Sequence, residues 1–292
     1  MSTLPASATH AESDPNQAPA CLLVFNASDP MGAAGLAADV VASACMGAHA
    51  LPVMTGAWAR DSATIFDFFP LDDEAVAEQS RAVLEDVEIS AIKLGFAGSP
   101  DNLGVAAGIA ADYPHIPLIA CMPDLSWWRE DAQDAYHDAF AEMVLAQTAV
   151  LVGSYGTLKR WLLPHWSYDR APSARDLAMA AGELGASYTL VTGIEPDPHT
   201  IDTCLSSPAA LLASARMQRL PGSFVGAGDT LSAAFAALMA CQFEPAAALT
   251  EALGLLEGSL QHGFRPGMGH HLPQRFFWAQ APASDPHPAS SI

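Results

Sequence analysis

Short apolar runs alternate with helical segments along almost the whole chain, and this alternation restricts the fold more than any other feature. The runs predict strands over residues 21–25, 50–57, 89–96, 116–122, 149–152 and 188–192. The other segments predict helices that end near residue 46 or span 72–84, 101–111, 138–146, 157–163, 176–184, 230–239 and 245–262, while residues 209–220 fit a helix or a strand. Such alternation is typical of a largely parallel sheet with helices on both faces. We therefore predict a single α/β domain.

The two ends of the chain lack this pattern. Residues 1–19 and 281–292 are rich in Ala, Ser and Pro, and the first segment has neither the basic start nor the apolar stretch of a signal peptide. We predict disordered tails at 1–19 and 281–292 around one domain at 20–280. No apolar run in the sequence approaches the roughly 20 residues that cross a membrane, so we expect a cytoplasmic protein.

The charge balance excludes several kinds of partner. The chain has 32 acidic against 12 basic residues and a net charge of −20, which disfavours nucleic acids and anionic membranes. Its lysines are Lys93 and Lys159 alone, so a phosphate site would depend on backbone amides and metal ions. The five cysteines show no metal-ligand spacing, which favours buried free thiols in a reducing compartment.

The segment Gly226-Ala-Gly-Asp229-Thr leads directly into a long Ala/Leu-rich helix. Glycine leaves backbone amides open to a ligand, and a helix beginning near Asp229 or Thr230 directs unpaired N–H groups and partial positive charge to the same place. This pattern predicts an anion site suited to phosphate. An acid there would repel phosphate unless it accepts the proton of an attacking hydroxyl group. The alternative is a glycine turn in which Asp229 only caps the helix.

A second small-residue loop, Ser28-Asp-Pro-Met-Gly-Ala-Ala-Gly-Leu-Ala-Ala-Asp39, follows the first strand. Together with residues 226–229 it resembles the hydroxymethylpyrimidine/phosphomethylpyrimidine kinases of thiamine biosynthesis, in the ribokinase superfamily, whose first loop reads SDPSGGAGIQAD. The resemblance extends over roughly residues 20–275 and includes Thr55, Ile92-Lys-Leu-Gly95, Leu190-Val-Thr-Gly193 and Gly267-Met-Gly-His270. It implies a ribokinase-like fold.

The resemblance also implies an activity: transfer of the γ-phosphoryl group of ATP to the hydroxymethyl group of 4-amino-5-hydroxymethyl-2-methylpyrimidine, with Mg²⁺ bridging the phosphates. It leaves open whether the monophosphate is phosphorylated as well. Asp229 would be the base. The transferred group would be stabilised by the amides of the loop residues Gly226, Ala227 and Gly228.

The same resemblance assigns the remaining contacts. The substrate contacts would be Ala27, Asp29, Ala34, Asp39, Arg60 and Phe96. The nucleotide contacts would be Lys93, Ser154, Thr192, Gly193, Gly267 and Gly269. No residue is assigned as a metal ligand, and the family implies a homodimer.

The chain departs from the family pattern at several positions. Pyrimidine kinases of the family often have cysteine where this chain has Asp229, an acid that ribokinase and related sugar and nucleoside kinases carry. The TPNxxE motif, whose Asn and Glu support the metal–phosphate network, is replaced by Val152-Gly-Ser-Tyr-Gly-Thr157. The DPVM motif is matched only by Cys121-Met-Pro-Asp124, and the lysine usual near Thr192 is absent. A pyrimidine-reading glutamine and a methionine are replaced by Arg60 and Phe96.

Three charged residues have a structural interpretation beside the functional one. Arg60 either pairs with an anionic group of the ligand or is a surface arginine beside Asp61. The apolar neighbours of Lys93 favour a structural role for this lysine slightly over a catalytic one. Asp39 is interpreted as a solvated helix residue unless a pocket lies beside it, in which case it would orient other groups.

Two pairs of ring-bearing residues also allow two interpretations. Trp127 and Trp128 would either stack on a ligand ring or pack in a loop or at a subunit contact. His270 and His271 are adjacent, an arrangement that rarely holds one metal ion, so we expect them at the mouth of the nucleotide site or in solvent.

Two other functions remain open from the sequence. The missing Asn/Glu motif and the shortage of lysine fit a ligand-binding or regulatory protein in which ATP use is weakened or lost. Asp229, Arg60 and Phe96 fit a kinase of a different substrate, such as pyridoxal or a sugar.

Overall fold

The computed structural model describes residues 18–279, so the predicted tails lie almost wholly outside the described residues. Within this range the strands, numbered along the chain, are β1 Cys21–Ser28, β2 His49–Arg60, β3 Ile65–Pro70, β4 Ala91–Leu94, β5 Leu118–Met122, β6 Thr148–Ser154, β7 Tyr188–Asp197, β8 Thr200–Ser206 and β9 Leu211–Gln218. They form a 9-stranded sheet in the order β3-β2-β1-β4-β5-β6-β7-β8-β9. The strands from β2 across to β7 are parallel to one another. The predicted α/β fold with a largely parallel sheet is therefore confirmed.

The two margins of the sheet are antiparallel and differ from the sequence prediction. β3 pairs antiparallel with β2, and β8 and β9 continue antiparallel from β7. The apolar pattern misses β3 and β8, and it leaves residues 209–220 undecided where the structure has β9. The edge strands β3 and β9 are mostly exposed, so they lack the continuous apolar run that marks a buried strand.

The helices of the described chain are α1 Gly35–Cys45, α2 Asp73–Leu84, α3 Pro100–Asp112, α4 Glu130–Ala139, α5 Tyr155–Leu162, α6 Ala174–Glu183, α7 Ala227–Ala240 and α8 Pro245–Gln261. α4 continues into a π-helical turn at Phe140–Val144, so the helix predicted at 138–146 in fact begins at Glu130. Its first residues are acidic, and within α4 only Tyr136 is buried, which leaves little apolar periodicity to recognise. α7 begins earlier than predicted, with Gly226 as its N-cap. The alternative in which Asp229 caps this helix is therefore wrong.

The strands bury alternate side chains in two cores, one on each face of the sheet. In β1, Leu23 and Phe25 face the core that helices α2 to α6 cover. Leu22 and Val24 face the opposite core, which α1, α7 and α8 cover. Asn26 continues this second series, and Lys93 in β4 contacts α1 from the same face. The strand period thus places two polar side chains beneath α1 and α7.

Two further sequence predictions concern membranes and cysteines. Among residues 18–279, none of the helices combines the length and apolar character that a membrane crossing requires. The cysteines are all free thiols, as predicted, but they are only partly buried: Cys21, Cys45, Cys121, Cys204 and Cys241.

Candidate active site

A cavity of about 450 Å³ lies where β1, β4, β5 and β6 reach their carboxyl ends. Ligands of open parallel sheets bind at this edge. The wall of the cavity combines residues from these strand ends, such as Asn26, Phe96 and Ser154, with residues at the start of α7. The two segments on which the family resemblance mainly depends, the loop after β1 and residues 226–229, therefore meet at one cavity.

The start of α7 presents open backbone amides to this cavity. Gly226 has a left-handed backbone (φ 85°), and no side chain caps the helix. The first helical hydrogen bond runs from the amide of Thr230 to the carbonyl oxygen of Gly226 at 2.9 Å, so the amides of Ala227, Gly228 and Asp229 have no acceptor within the helix. A Cβ atom at Gly228 would meet nothing within 4 Å. These amides fit an anionic group such as phosphate.

Gly226 is required by a close approach to the loop after β1. A Cβ atom there would lie 1.7 Å from the carbonyl oxygen of Ala33. That loop is fixed by the buried carboxylate of Asp29, which accepts the amides of Met31 at 2.9 Å, Ala33 at 3.2 Å and Ala34 at 2.8 Å. The two loops therefore form one rigid unit that only glycine at 226 allows.

Arg275 joins the same two loops, and no sequence motif predicts it. Its side chain is buried, with a relative exposure of 6% for the residue. The guanidinium donates to the hydroxyl of Thr230 at 2.9 Å, to the carbonyl oxygen of Gly226 at 3.5 Å and to that of Ala33. Burial lowers the pKa of Arg275, and the nearby carboxylates oppose this change.

Asp229 stands at the cavity wall on top of a buried polar cluster. Its side chain is 23% exposed, and its Oδ1 accepts from Asn26 Nδ2 at 3.0 Å and lies 3.5 Å from Lys93 Nζ. Lys93 forms an ion pair with Asp39 at 2.5 Å, and both side chains are fully buried. Asn26 Nδ2 also donates to Asp39 at 2.7 Å. The interpretation of Asp39 as a solvated residue is therefore wrong, because this position of α1 faces the sheet.

In this cluster, burial and the charge of the ion-pair partner shift the pKa of Asp39, and likewise that of Lys93, in opposite directions. Burial raises the pKa of Asp39 to about 6, although Lys93 opposes the rise. Burial would lower the pKa of Lys93, but Asp39 and Asp229 outweigh it, so this pKa lies above its usual value. At neutral pH the lysine is a cation between two carboxylates.

The residues predicted to contact the substrate fall into two groups. Ala34, Arg60 and Phe96 line the cavity. Ala27, Asp29 and Asp39 are buried behind it, where they shape the loop and the polar cluster.

Arg60 is not a surface arginine. Its side chain is 6% exposed and lies 3.9 Å from Asp29, although its Nε also donates to the backbone oxygen of Asp61. At the cavity wall it presents donors only.

Part of the cavity wall is aromatic. The rings of Trp58 and Phe96 lie 5.8 Å apart and nearly parallel, at 8°. Trp127 also lines the cavity and packs edge-on against Phe96 at 5.8 Å, while Trp128 packs behind it at 5.3 Å from Phe96. The packing interpretation is confirmed for Trp128, while stacking of Trp127 on a ligand ring stays a prediction.

The residues predicted to contact the nucleotide are more dispersed. Ser154 and Thr192 line the cavity, and Gly193 follows Thr192 in the chain with a positive φ of 70°. Lys93 is buried beneath Asp229. Ser154 also caps α5, since its hydroxyl accepts the amide of Thr157 at 3.1 Å.

Gly267 and Gly269 pack against the turn between β2 and β3. A Cβ atom at Gly269 would lie 2.3 Å from the carbonyl oxygen of Ser62, and one at Gly267 would lie 2.9 Å from its hydroxyl. The amide of Gly269 donates to the hydroxyl of Ser62 at 3.0 Å, and His270 bonds to Ser223 through its ring. The close packing of this turn gives these glycines a structural reason, and their contact with a nucleotide stays a prediction.

Among the residues that the structure describes, Asp124 supplies the one carboxylate besides Asp229 that lines the cavity. It lies 3.4 Å from Arg160 and accepts the amide of Ser126 at 3.1 Å. Among residues 18–279, no group of three His, Cys, Asp or Glu side chains could hold a metal ion. An exposed carboxylate beside an anion site does fit Mg²⁺, which takes one or two carboxylates together with substrate phosphates.

Known proteins are similar to this chain over most of its length. The sequence profile of phosphomethylpyrimidine kinase matches residues 29–274. A hydroxymethylpyrimidine/phosphomethylpyrimidine kinase from Mycobacterium tuberculosis (strain ATCC 25618 / H37Rv) is 26% identical over 270 residues, which cover 88% of this chain and 94% of that protein.

Solved structures share the fold. Phosphomethylpyrimidine kinase from Clostridium difficile 630 has a TM-score of 0.63 at 18% identity, covering 82% of this chain and 99% of that one. Pyridoxal kinase from Staphylococcus aureus in complex with AMP-PCP and pyridoxal has a TM-score of 0.77 at 16% identity, covering 89% and 94%. The predicted ribokinase-like fold is confirmed. Since the family profile extends over most of its length, this chain belongs to the phosphomethylpyrimidine kinase family.

Proposed function

We propose that this protein transfers the γ-phosphoryl group of ATP to the hydroxymethyl group of 4-amino-5-hydroxymethyl-2-methylpyrimidine, in thiamine biosynthesis. One observation carries this function. Asp229, a carboxylate able to accept a hydroxyl proton, shares a cavity with the open amides at the start of α7. Membership of a kinase family supports a phosphotransferase over a protein that only binds ligands.

The start of α7 supplies the two functions that such a transfer requires. Asp229 would accept the proton of the hydroxyl group as that group attacks phosphorus. The neighbouring N–H groups and the helix dipole would stabilise negative charge on the transferred group. Phosphoryl transfer depends on positioning and charge neutralisation more than on covalent chemistry. Asp229 must therefore be ionised and directed at the hydroxyl group.

The opposite wall of the cavity would hold the ring of the substrate. Phe96 and Trp127 supply aromatic surface that suits a flat heteroaromatic ring. Arg60 supplies donors to ring or phosphate acceptors, and the small side chain of Ala34 leaves room beside the loop. We propose direct substrate contacts for these residues, with Asp29 and Asp39 acting from behind them.

Ser154, Thr192 and Asp124 would hold the nucleotide and its metal ion at the other end. When bound, Mg²⁺ neutralises charge on the phosphates. Asp124 would be its protein ligand, and Arg160 would exchange its partner carboxylate for a phosphate.

A substrate panel tests the function. Purified protein is incubated with Mg·ATP and hydroxymethylpyrimidine, its monophosphate or pyridoxal, and kcat/KM is measured by product formation. We expect the pyrimidine alcohol to give the highest kcat/KM. A higher value for pyridoxal would overturn the substrate, and absence of Mg·ATP binding by calorimetry would overturn the kinase.

We also propose a cytoplasmic homodimer. The edge strand β3 leaves Phe66 and Phe69 exposed, at 68% and 60%, and a second copy would cover such apolar side chains. Sedimentation velocity gives the mass in solution, and a monomer at micromolar concentration would contradict the dimer.

A further inference from the structure

Asn26 lies fully buried at the end of β1, directly beneath Asp229. Its Oδ1 accepts the backbone amides of Ala27 at 2.9 Å and Phe96 at 3.0 Å. Its Nδ2 donates to Asp39 at 2.7 Å and to Asp229 at 3.0 Å. Both lone pairs and both protons of this amide therefore have partners.

This arrangement fixes which way the amide of Asn26 faces. Backbone N–H groups only donate, so the side-chain oxygen must face Ala27 and Phe96. The NH₂ group must then face the carboxylates of Asp39 and Asp229. Rotation of the amide would place oxygen against two carboxylates and nitrogen against two donors.

The segment Lys93-Leu-Gly95 is shaped around this amide. A Cβ atom at residue 95 would lie 2.3 Å from Asn26 Nδ2, so Gly95 leaves the room that the amide occupies. Lys93, on the same strand, contacts Asp39 and Asp229. Gly95 therefore makes room for Asn26, and Lys93 contacts the same two carboxylates that Asn26 contacts.

We propose that Asn26 and Lys93 are positioning residues that keep Asp229 ionised and directed at the substrate hydroxyl group. The inference rests on the proposed function, in which Asp229 is the base. Lys93 carries one positive charge, which cannot fully compensate the two negative charges of Asp39 and Asp229. Asn26 supplies a neutral donor to each carboxylate, which favours their ionised forms without adding charge.

The other groups that face Asp229 from packed elements are few. Asp39 on α1 carries like charge and is balanced by Lys93 on β4. Arg275 contributes positive charge from beyond the loop. The thiol of Cys121 on β5 stays neutral, because desolvation within its partly buried site raises its pKa to about 12. Asn26 and Lys93 are thus the groups whose loss would act most directly on Asp229.

The pH dependence of kcat/KM tests the inference. Asn26→Leu and Lys93→Met remove the donor at 3.0 Å and the cation at 3.5 Å from the Asp229 carboxylate, so its ionised form is less favoured and activity falls first on the acid side. We expect the acid limb to move up by about one pH unit or more, with activity recovering as the pH rises. An equal loss at every pH would indicate a merely structural role and overturn the inference.

Asn102→Leu is the matched control. Asn102 is also a buried asparagine, and its amide donates to the carbonyl oxygens of Leu71 at 3.1 Å and Ala97 at 3.0 Å. Its loss should lower the unfolding temperature while the acid limb stays in place. If Lys93→Met does not fold, Lys93→Gln keeps a polar group of similar length. If Asn26→Leu does not fold, Asn26→Ser keeps a shorter polar group at that position.

A measurement without substrate separates this inference from the proposed function. Carbon-13 NMR of the aspartate side chains, with Asp229 assigned from its loss in Asp229→Asn, follows the titration of that carboxyl group directly. A signal of Asp229 that changes at higher pH in the Asn26 and Lys93 variants than in the wild type would support the inference even if none of the tested alcohols is a substrate. An unchanged titration in folded variants would overturn it, whatever the activity.

Discussion

Two charged groups in the cavity wall, Asp229 and Asp124, are held in opposite ways. Asp229 contacts Asn26 and Lys93, and the side chain of Lys93 is fully buried; we call this group of residues the organised end. Asp124 forms an ion pair with Arg160 at 3.4 Å, and these side chains are 59% and 65% exposed; we call this pair the open end. The first set of contacts is fixed within the core, whereas the second is open to solvent and to exchange.

The proposed function accounts for this difference. A base must keep its charge and direction before the substrate arrives, which requires an organised surrounding. In the proposal, Asp124 and Arg160 would change partners when Mg·ATP binds, and a solvated ion pair costs little to break. Breaking a buried pair leaves an uncompensated charge and costs several kcal/mol. We therefore expect substitutions at the two ends to differ in size and in kind.

Asp229→Asn should have the largest effect. The variant keeps the shape of the side chain but removes the proton acceptor, so kcat should fall by about 10²–10⁴-fold. Steady-state kinetics with Mg·ATP measure this, and calorimetric affinity for the nucleotide should change much less. A kcat within a factor of three of the wild type would remove Asp229 from the role of base.

Arg275→Leu should lower the folding stability, because Arg275 joins the two loops beside Asp229. The change leaves the carbonyl oxygen of Ala33 and the hydroxyl of Thr230 without their buried donor, so we expect a loss of about 2–3 kcal/mol in the free energy of unfolding. Urea denaturation gives the value. Arg216→Leu is the control, since Arg216 pairs with Asp202 with its side chain 59% exposed and should cost at most about 1 kcal/mol. Equal losses in the two variants would contradict the structural role of Arg275.

Asp124→Asn should have the smallest effect. We expect it to change the Mg²⁺ dependence of activity and to leave folding stability nearly unchanged, because the Asp124 side chain is 59% exposed. Removing one exposed carboxylate should raise the Mg²⁺ concentration for half-maximal activity by about tenfold, since the phosphates retain most of the ligands. Unfolding temperature should stay within about a degree of the wild type. Asp131→Asn, at another exposed aspartate paired with an arginine, should leave the Mg²⁺ dependence unchanged. A response of both variants would indicate bulk electrostatics and not a metal ligand.

Much of the fold could be predicted because its signals are local. Buried parallel strands appear as apolar runs, and the helices between them follow from composition and caps. The strands at the margins were missed or undecided because half-exposed strands such as β3 carry no such run.

The candidate site was predictable in part, for the same reason. The open amides of α7 follow from Gly226, Gly228 and the helix after them. Asn26 could have been found from the strand period, since it continues the series of Leu22 and Val24 on one face of β1. Asp39 could have been found from the buried stripe of α1, which includes Gly35 and Ser43.

The sequence by itself determined an α/β sheet and a helix whose first turn joins open amides to an acid, because both depend on residues close together in the chain. Only the tertiary structure decided how that acid is held. Asn26 and Asp229 are 203 residues apart, and their contact exists because β1 and α7 pack on the same face of the sheet. Arg275 likewise reaches the loops from the end of the described chain. Partners chosen by packing leave no local pattern, which is why the sequence predicts Asp229 as a candidate base but not its contacts with Asn26 and Lys93.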